Sequence, residues 1–260
     1  MKIKANGISI NYHVDGPDGA PWLVLSNSLA TNLAMWDDQA RELGRAFRVL
    51  RYDQRGHGAT EAPAGRYTFE LLIADALALM DALAIRKAHF GGQSMGGAPA
   101  LGLAQKHRDR LDRVIVCDSP CQSTPTSSQQ WEERIVVAQK QGMDALVEPT
   151  LARWFPSEVM KANPPHLGKV RQMIRTTPVN GFIGCAAALA DHNYAAAVAT
   201  VTQPVLFMVG EKDAAAPPMR KLNEALPGSR YVELPGAGHI SNLDQPEAFT
   251  RAIKDFLAAK

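Results

Sequence analysis

Ser94 is the residue of this chain whose surroundings best suit a nucleophile, since it lies in the stretch Gly92-Gln93-Ser94-Met95-Gly96. Residues 88–90 before it are typical of a strand, and the small residues of 97–105 after it are typical of a helix. This pattern predicts a sharp turn between strand and helix, with the serine at its apex. Glycine at 92 and 96 removes side chains that would collide in so tight a turn. We therefore expect an exposed hydroxyl that can attack an electrophile.

His239 and Asp213 are the candidates for the groups that would activate this serine. A serine hydroxyl needs a base within hydrogen-bond reach, and the base needs a carboxylate that fixes its tautomer. His239 ends the loop Gly236-Ala237-Gly238-His239 after one predicted strand, and Asp213 follows another. Because groups at the carboxyl ends of parallel strands converge, we predict that Ser94, His239 and Asp213 meet as nucleophile, base and acid.

Two other residues compete for these roles. Asp118 follows the strand that precedes the strand of Asp213, and it is an alternative acid. His57 is an alternative base, although the charged, glycine-bearing stretch 53–58 is more typical of a structural loop. The chain order Ser94, Asp213, His239 favours the first assignment, because it is one of the known orders for such a set of residues.

The oxyanion formed by such an attack needs two converging N–H donors. The N–H of Met95, directly after the serine, is one candidate. The loop after the apolar run 22–26 supplies the other, and Leu29 is the best candidate by its position. Together these residues predict ester hydrolysis through an acyl-enzyme, in which His239 passes the proton of Ser94 to the leaving alcohol.

The elements that must position these residues alternate strand and helix from residue 22 to residue 118. A hairpin pattern around Asn6-Gly7 precedes them, and strand patterns resume near residues 205 and 230. This alternation predicts a mostly parallel, twisted sheet with helices on both faces. The predicted strands include 22–26, 48–52, 113–117, 205–209 and 230–234, and the predicted helices include 36–46, 69–83, 219–226 and 246–259.

Residues 120–193 interrupt the alternation with several helical patterns and no clear strand. A polar stretch, 122–130, leads into them. Because the strand pattern resumes afterwards, we interpret 120–193 as a helical cap insertion in one α/β core that is formed by 1–119 and 194–260.

Composition argues against several other classes of function. The net charge of +2 favours neither nucleic acid nor an anionic membrane, and no apolar run reaches the roughly 20 residues that a membrane-spanning helix needs. The N-terminus lacks the apolar segment of a signal peptide. Cys117, Cys121 and Cys185 have no metal-like spacing, so we expect reduced thiols in a cytoplasmic protein with no metal or other cofactor. A Cys117–Cys121 disulfide is the less favoured alternative.

Several stretches carry a resemblance to a known family: 25–36, Arg51-Tyr52-Asp53-Gln54-Arg55-Gly56-His57-Gly58, Gly92-Gln93-Ser94-Met95-Gly96-Gly97 and 238–249, with 131–134 and 153–155 in the cap. On these residues the sequence resembles the α/β-hydrolase superfamily and, within it, the 3-oxoadipate enol-lactonases. The resemblance implies the α/β-hydrolase fold and Asn27-Ser28 in the oxyanion loop. It implies a five-membered enol-lactone with a carboxymethyl group as substrate and 3-oxoadipate as product, in the β-ketoadipate pathway of aromatic catabolism.

The cap should hold the carboxylate of such a substrate, because a closed pocket must pair that charge. Trp131 and Arg134 are three residues apart and share one face of a helix, so they form a candidate clamp for a carboxylate. The alternative is that Trp131 packs the cap and Arg134 is solvated. Trp154, in the other cap stretch, is a third candidate substrate-binding residue.

Some residues near the expected pocket walls depart from the family pattern. Gln93 replaces the usual leucine, Ala30 the usual glycine, and Asp118-Ser119-Pro120 a more typical Asn-Thr-Ala. These departures keep a broader carboxylesterase, an arylesterase or another lactonase open. More remote alternatives are a C–C bond hydrolase, a perhydrolase and a non-catalytic receptor. The expected partner is a small-molecule ester or lactone, and assembly into a homo-oligomer stays open.

Overall fold

Eight strands form one sheet in the computed structural model, which describes residues 1–259. They are β1 (Lys2–Ala5), β2 (Ile8–Asp15), β3 (Trp22–Ser26), β4 (Arg48–Tyr52), β5 (Ala88–Gln93), β6 (Leu111–Cys117), β7 (Val205–Gly210) and β8 (Arg230–Leu234). Their order across the sheet is β1-β2-β4-β3-β5-β6-β7-β8. The pairs β1–β2 and β2–β4 are antiparallel, and the other pairs are parallel. The mostly parallel sheet that the sequence predicts is therefore confirmed.

Helices pack around this sheet. They are α1 (Asp37–Leu43), α2 (Phe69–Ala82), α3 (Gly97–Lys106), α4 (Pro125–Gln141), α5 (Asp144–Trp154), α6 (Ser157–Ala162), α7 (Pro165–Thr176), α8 (Val179–Ala190), α9 (Ala216–Ala225), α10 (Ser241–Asp244) and α11 (Pro246–Ala258). Strands β3 and β7, which pair on both sides, are buried along nearly their whole length, as expected for strands that helices cover. Among the helices described, none combines the length and the apolarity needed to span a lipid bilayer.

The core lies between the sheet and the flanking helices. Its largest fully buried side chains include Trp36, Phe90, Phe207 and Phe249, and the rings of Trp36 and Phe249 are 6.0 Å apart. Burial of one such side chain contributes about 1.5–3 kcal/mol to folding. The three cysteines are buried and free, so the alternative of a Cys117–Cys121 disulfide is wrong.

Five helices, α4 to α8, lie between β6 and β7, and we call this segment the helical insertion. Helix α4 packs against α8, and α5 packs against α7. A β-bridge between Gln122 and Asn193 joins the two ends of the insertion. The division into a core of 1–119 and 194–260 and a cap of 120–193 stays a prediction.

Two predicted element boundaries differ from the structure. Helix α4 begins at Pro125, inside the stretch predicted as a polar connection, because Thr124 and Ser127 form a capping box and proline suits the first turn. The helix predicted over 36–46 is a 3₁₀ turn at Leu33–Trp36 followed by α1. The side chain of Asn32 caps that 3₁₀ turn by accepting from the N–H of Ala34.

Candidate active site

Ser94 lies at the apex of the turn between β5 and α3, where the sequence predicts it. Its φ of 53° is in the left-handed region, which costs a non-glycine residue about 1–3 kcal/mol. A Cβ on Gly92 would lie 1.9 Å from the carbonyl oxygen of Gly96, and one on Gly96 would lie 2.5 Å from that of Ser26. Both positions therefore need glycine, as the sequence pattern indicates.

Ser94, His239 and Asp213 meet at the carboxyl ends of β5, β8 and β7. The Nε2 atom of His239 lies 2.8 Å from Ser94 Oγ, and its Nδ1 atom lies 2.9 Å from Asp213 Oδ2. Because Nδ1 faces a carboxylate, Nδ1–H donates, and Nε2 is left to accept the hydroxyl proton of Ser94. The geometry is that of a serine prepared for deprotonation by a neutral imidazole.

Asp213 is nearly buried, with 6% of its side chain exposed. Burial opposes its ionisation, but the charge of His239 and the hydrogen bond to it outweigh burial and hold the pKa of Asp213 below its usual value. The N–H of Ala215 also donates to Asp213 Oδ1, at 3.1 Å. The carboxylate is therefore ionised at neutral pH and can stabilise an imidazolium.

Trp154 fixes the position of His239. Its backbone carbonyl accepts from the N–H of His239 at 2.7 Å, and its indole stacks on the imidazole at 6.0 Å between ring centroids. A Cβ on Gly238 would lie 2.3 Å from the same carbonyl oxygen, so this approach needs glycine. The end of α5 thus holds the imidazole from the side of the helical insertion.

The two predicted oxyanion donors flank Ser94. Met95 follows it directly, and Leu29 lines the same cavity as the serine hydroxyl. The N–H of Leu29 donates to no acceptor within residues 1–259, so it is available to an oxygen of a bound molecule. Their role as an oxyanion hole stays a prediction.

The loop that carries Leu29 is held by the loop after β4. The N–H of Ala30 donates to His57 Nε2 at 2.9 Å, and His57 Nδ1 lies 3.1 Å from the carbonyl oxygen of Arg55. The N–H of Gln54 donates to Asn27 Oδ1 at 2.9 Å. Burial lowers the pKa of His57 to about 4, so its ring is neutral. His57, the alternative base, is instead a support for this loop.

A cavity of about 100 Å³ lies over Ser94 and His239. Pockets for drug-sized ligands measure roughly 300–1,000 Å³, so this cavity suits a small molecule. Its lining consists of Leu29, Ser94, Asp118, Ser119, Pro120, Gln122, Ser127, Trp131, Arg153, Trp154, Leu189, His192 and His239.

Arg134 does not line this cavity, contrary to the predicted carboxylate clamp. Trp131 and Trp154 do line it, but Arg134 lines a separate pocket between α4 and α5. The arginine at the cavity is Arg153, from the last turn of α5. Helical spacing correctly indicates that Trp131 and Arg134 are neighbours, but the packing of α5 on α4 decides which guanidinium reaches the cavity.

Both guanidinium groups lie against Trp131. Arg134 Cζ is 4.9 Å from the ring centroid, and Arg153 Cζ is 5.6 Å from it. Burial and then the charge of Arg153 lower the pKa of Arg134 to about 10. Burial likewise lowers the pKa of Arg153, against the opposing charge of Asp213, although its side chain keeps contact with solvent. Neither arginine has an acidic partner in an ion pair within the described residues, so the charge of each would stabilise an anion bound beside it.

Sequence reasoning missed Arg153 as a cavity residue. The stretch Arg153-Trp154-Phe155 contains a signal for it, because it places an arginine beside Trp154 at the end of a helix. Asp118, the alternative acid, also lines the cavity, but the Nδ1 atom of His239 faces Asp213 and not Asp118.

Comparison with known proteins identifies the family of this chain. The model of a family described as the alpha/beta hydrolase fold matches residues 21–246. The chain belongs to this family. It is 32% identical to 3-oxoadipate enol-lactonase 2 of Acinetobacter baylyi, over 97% of this chain and 94% of that protein.

Two solved alpha/beta hydrolase structures are also similar. The enol-lactonase from Burkholderia xenovorans LB400 has a TM-score of 0.96 and 41% identity, over 100% of both chains. A thermophilic esterase from Thermogutta terrifontis, solved with malate bound, has a TM-score of 0.92 and 29% identity, over 99% of this chain and 98% of that one. The fold predicted from the sequence is therefore confirmed.

Proposed function

We propose that this alpha/beta hydrolase is a serine hydrolase that opens a small lactone bearing a carboxylate, with 3-oxoadipate enol-lactone as its substrate. The observation that carries the proposal is the hydrogen-bonded series Ser94–His239–Asp213 at the floor of a small cavity. The enol-lactonases of Acinetobacter and Burkholderia support the choice of substrate. The product is then 3-oxoadipate, in aromatic catabolism.

The reaction begins when Ser94 Oγ attacks the lactone carbonyl carbon and His239 Nε2 takes the hydroxyl proton. The resulting oxyanion accepts from the N–H groups of Leu29 and Met95, and Asp213 stabilises the imidazolium. The ring C–O bond then breaks, and the enol oxygen takes the proton from His239 while it stays tethered to the acyl chain. Water attacks the acyl-enzyme next, giving its proton to His239, and Ser94 leaves with that proton.

Arg153 is the group that we assign to the carboxylate of the substrate. It lines the cavity, it lies over the Trp131 ring, and it has no ion-pair partner in the described part of the chain. A guanidinium can donate two parallel hydrogen bonds to a carboxylate, and the indole provides an apolar wall for the ring. The malate-bound esterase supports an acidic ligand, since malate is a dicarboxylate.

A broader carboxylesterase is the second candidate. The Thermogutta esterase, at 29% identity over nearly the whole chain, favours it. The departures at Gln93 and Asp118 lie beside His239 and change the surroundings of the site relative to the family pattern. A neutral ester would not need Arg153, and this difference separates the two candidates.

The test compares Arg153→Ala with Arg134→Ala on the enol-lactone and on p-nitrophenyl acetate. Arg153→Ala should raise KM for the acidic lactone roughly 10-fold, because it removes one charge-assisted contact at a partly solvated site. The neutral ester should change less than about 3-fold. Arg134→Ala is the matched control, since it removes the other guanidinium on Trp131 and should leave KM for the lactone within about 3-fold.

Ser94→Ala should abolish turnover of both substrates, and wild-type activity in that variant would refute the serine mechanism. An Arg153→Ala variant in which KM for the lactone changes no more than KM for the neutral ester would show that Arg153 does not select a carboxylate, and would favour the carboxylesterase. We also place the enzyme in the cytoplasm as part of the proposal, since its three thiols are free.

A further inference from the structure

Gln93 and Asp118 contact each other beside His239. The side-chain amide of Gln93 donates from Nε2 to Asp118 Oδ2 at 2.7 Å and to the backbone carbonyl of His239 at 2.7 Å. Both side chains are fully buried. The amide must point its NH₂ this way, because the carbonyl of His239 can only accept. Gln93 therefore ties Asp118 to the loop that carries the imidazole.

Asp118 also contacts the strand and the loop on either side of Asp213 and His239. The N–H of Gly210, the last residue of β7, donates to Asp118 Oδ1 at 2.8 Å. The hydroxyl of Ser241, two residues after His239, contacts Asp118 Oδ2. Since a hydroxyl accepts as well as donates, a proton on Oδ2 would have an acceptor there. The carboxyl thus joins β6, β7 and the His239 loop.

No cation accompanies this carboxyl among residues 1–259. Burial raises the pKa of Asp118, and the charge of Asp213 raises it further. The other titratable groups around the pair are Cys117, which precedes Asp118, His239, which contacts Asp213, and Arg153, whose charge interacts with Asp213. Since His239 contacts Asp213, the single negative charge of the two carboxyls belongs on Asp213.

We propose that Asp118 is a positioning residue that stays protonated while Asp213 is ionised, and that it holds the His239 loop in register with Ser94 through Gln93, Ser241 and Gly210. The inference rests on the proposed hydrolytic mechanism and adds to it a neutral carboxyl that acts only through other residues. An ionised Asp118 would put a second buried negative charge beside the imidazole of His239. That charge would make the imidazole hold its proton more tightly. The neutral form keeps the loop in place without that charge.

The first test is the pH dependence of kcat/KM for Asp118→Asn with p-nitrophenyl acetate, which makes the result independent of the lactone. The amide of asparagine has the shape of a protonated carboxyl, but its NH₂ group would face the NH₂ group of Gln93, and two donors cannot bond to each other. We therefore expect kcat/KM to fall by no more than about 10-fold. The midpoint of the acid limb should stay within about 0.3 pH units of the wild type. A downward shift of about one unit or more would mean that a charge had been removed, and would overturn the proposal.

Gln93→Leu tests the positioning role itself. It restores the usual apolar residue of the family and cuts the link between Asp118 and the carbonyl of His239. We expect kcat to fall about 3- to 10-fold with KM nearly unchanged and with the acid limb in place. Unchanged kcat would show that the link positions nothing.

Infrared spectroscopy at pH 7 decides the protonation state even if Asp118→Asn does not fold. The wild type should show the C=O band of a protonated carboxyl, because the exposed carboxyls are ionised at that pH. Folded Asp118→Asn should lose the band, and Glu211→Gln, which removes an exposed carboxylate just after β7, should keep it. Absence of the band in the wild type would overturn the proposal. Turnover of p-nitrophenyl acetate by Ser94→Ala reports separately on the serine mechanism.

Discussion

Ser94 is held in a backbone conformation that serine rarely adopts, and its neighbours make that conformation affordable. With φ at 53° the hydroxyl stands clear of the backbone, 2.8 Å from His239 Nε2. The strain of about 1–3 kcal/mol persists because β5 before Ser94 and α3 after it fix the backbone on both sides. The absence of a side chain at Gly92 is the condition for this, since the carbonyl of Gly96 occupies that space.

Substitution of the two adjacent glycines of β5 should therefore have unequal effects. In Gly92→Ala the new Cβ would lie 1.9 Å from a backbone oxygen, so we expect loss of kcat/KM by at least about 100-fold and a lower Tm. Gly91→Ala is the control, because its Cβ would meet only side chains, and the nearest atom would be the end of the Leu25 side chain at 3.1 Å. Near wild-type activity in Gly92→Ala, or equal damage in both variants, would contradict this account of the turn.

Helix α8 reaches the loop that carries Leu29 indirectly, through a backbone contact with the loop after β4. A Cβ on Gly181 of α8 would lie 1.9 Å from the carbonyl oxygen of Gly56. The same loop carries His57, whose ring accepts from the N–H of Ala30 next to Leu29. The helical insertion therefore supports the site at two places, here and where Trp154 contacts His239.

Gly181→Ala should push α8 away from this loop, and we expect both a lower Tm and a lower kcat, because the Leu29 loop loses its support. Gly168→Ala is a matched change on α7, where an added Cβ meets nothing within 4 Å. It should stabilise the protein by about 0.5–1 kcal/mol, as expected for alanine in a helix interior. Thermal unfolding and kcat measured on both variants test this, and a Gly181→Ala protein with unchanged kcat would show that the contact does not reach the site.

Folding lowers the pKa of several histidines, and His57 and His192 are the two most affected. Burial lowers the pKa of both His57 and His192 to about 4, whereas an unfolded histidine titrates near 6.5. Between these values the unfolded chain binds protons that the folded chain does not. The contribution of these two histidines to folding stability is therefore fully present above about pH 6.5 and is lost as the pH falls towards 4.

We expect the fully buried His57 to lower the free energy of unfolding by about 1.4 kcal/mol per pH unit once the pH is well below 6.5, and the partly exposed His192 to lower it by less. A protonated Asp118 contributes a slope of the opposite sign, because the folded chain then holds a proton that the unfolded chain releases. Urea unfolding at pH 7, 6 and 5 measures this slope. His192→Gln should make the free energy of unfolding fall less steeply between pH 7 and pH 5 than it does in the wild type. The same slope in both proteins would contradict the prediction.

Local patterns in the sequence predicted the strands, the turn at Ser94 and the meeting of His239 and Asp213 with it. They succeed because strand periodicity and the need for glycine at 92 are set within a few residues, and parallel strands bring their carboxyl ends to one edge. The start of helix α4 was missed even though its signal is local. The polar stretch before Trp131 has no helical spacing of apolar residues, but Thr124 caps a helix there.

Only the tertiary structure decided which of two similar residues takes a given position at the site. Arg134 and Arg153 are equally basic in the sequence, but the packing of α5 against α4 brings Arg153 to the cavity. Asp118 and Asp213 both follow parallel strands, but the path of the loop after β8 turns His239 Nδ1 to Asp213 and leaves Asp118 with Gln93. These outcomes depend on contacts between segments that are distant in the chain. A local sequence pattern cannot predict the direction of a side chain when that direction is set by packing against a distant segment.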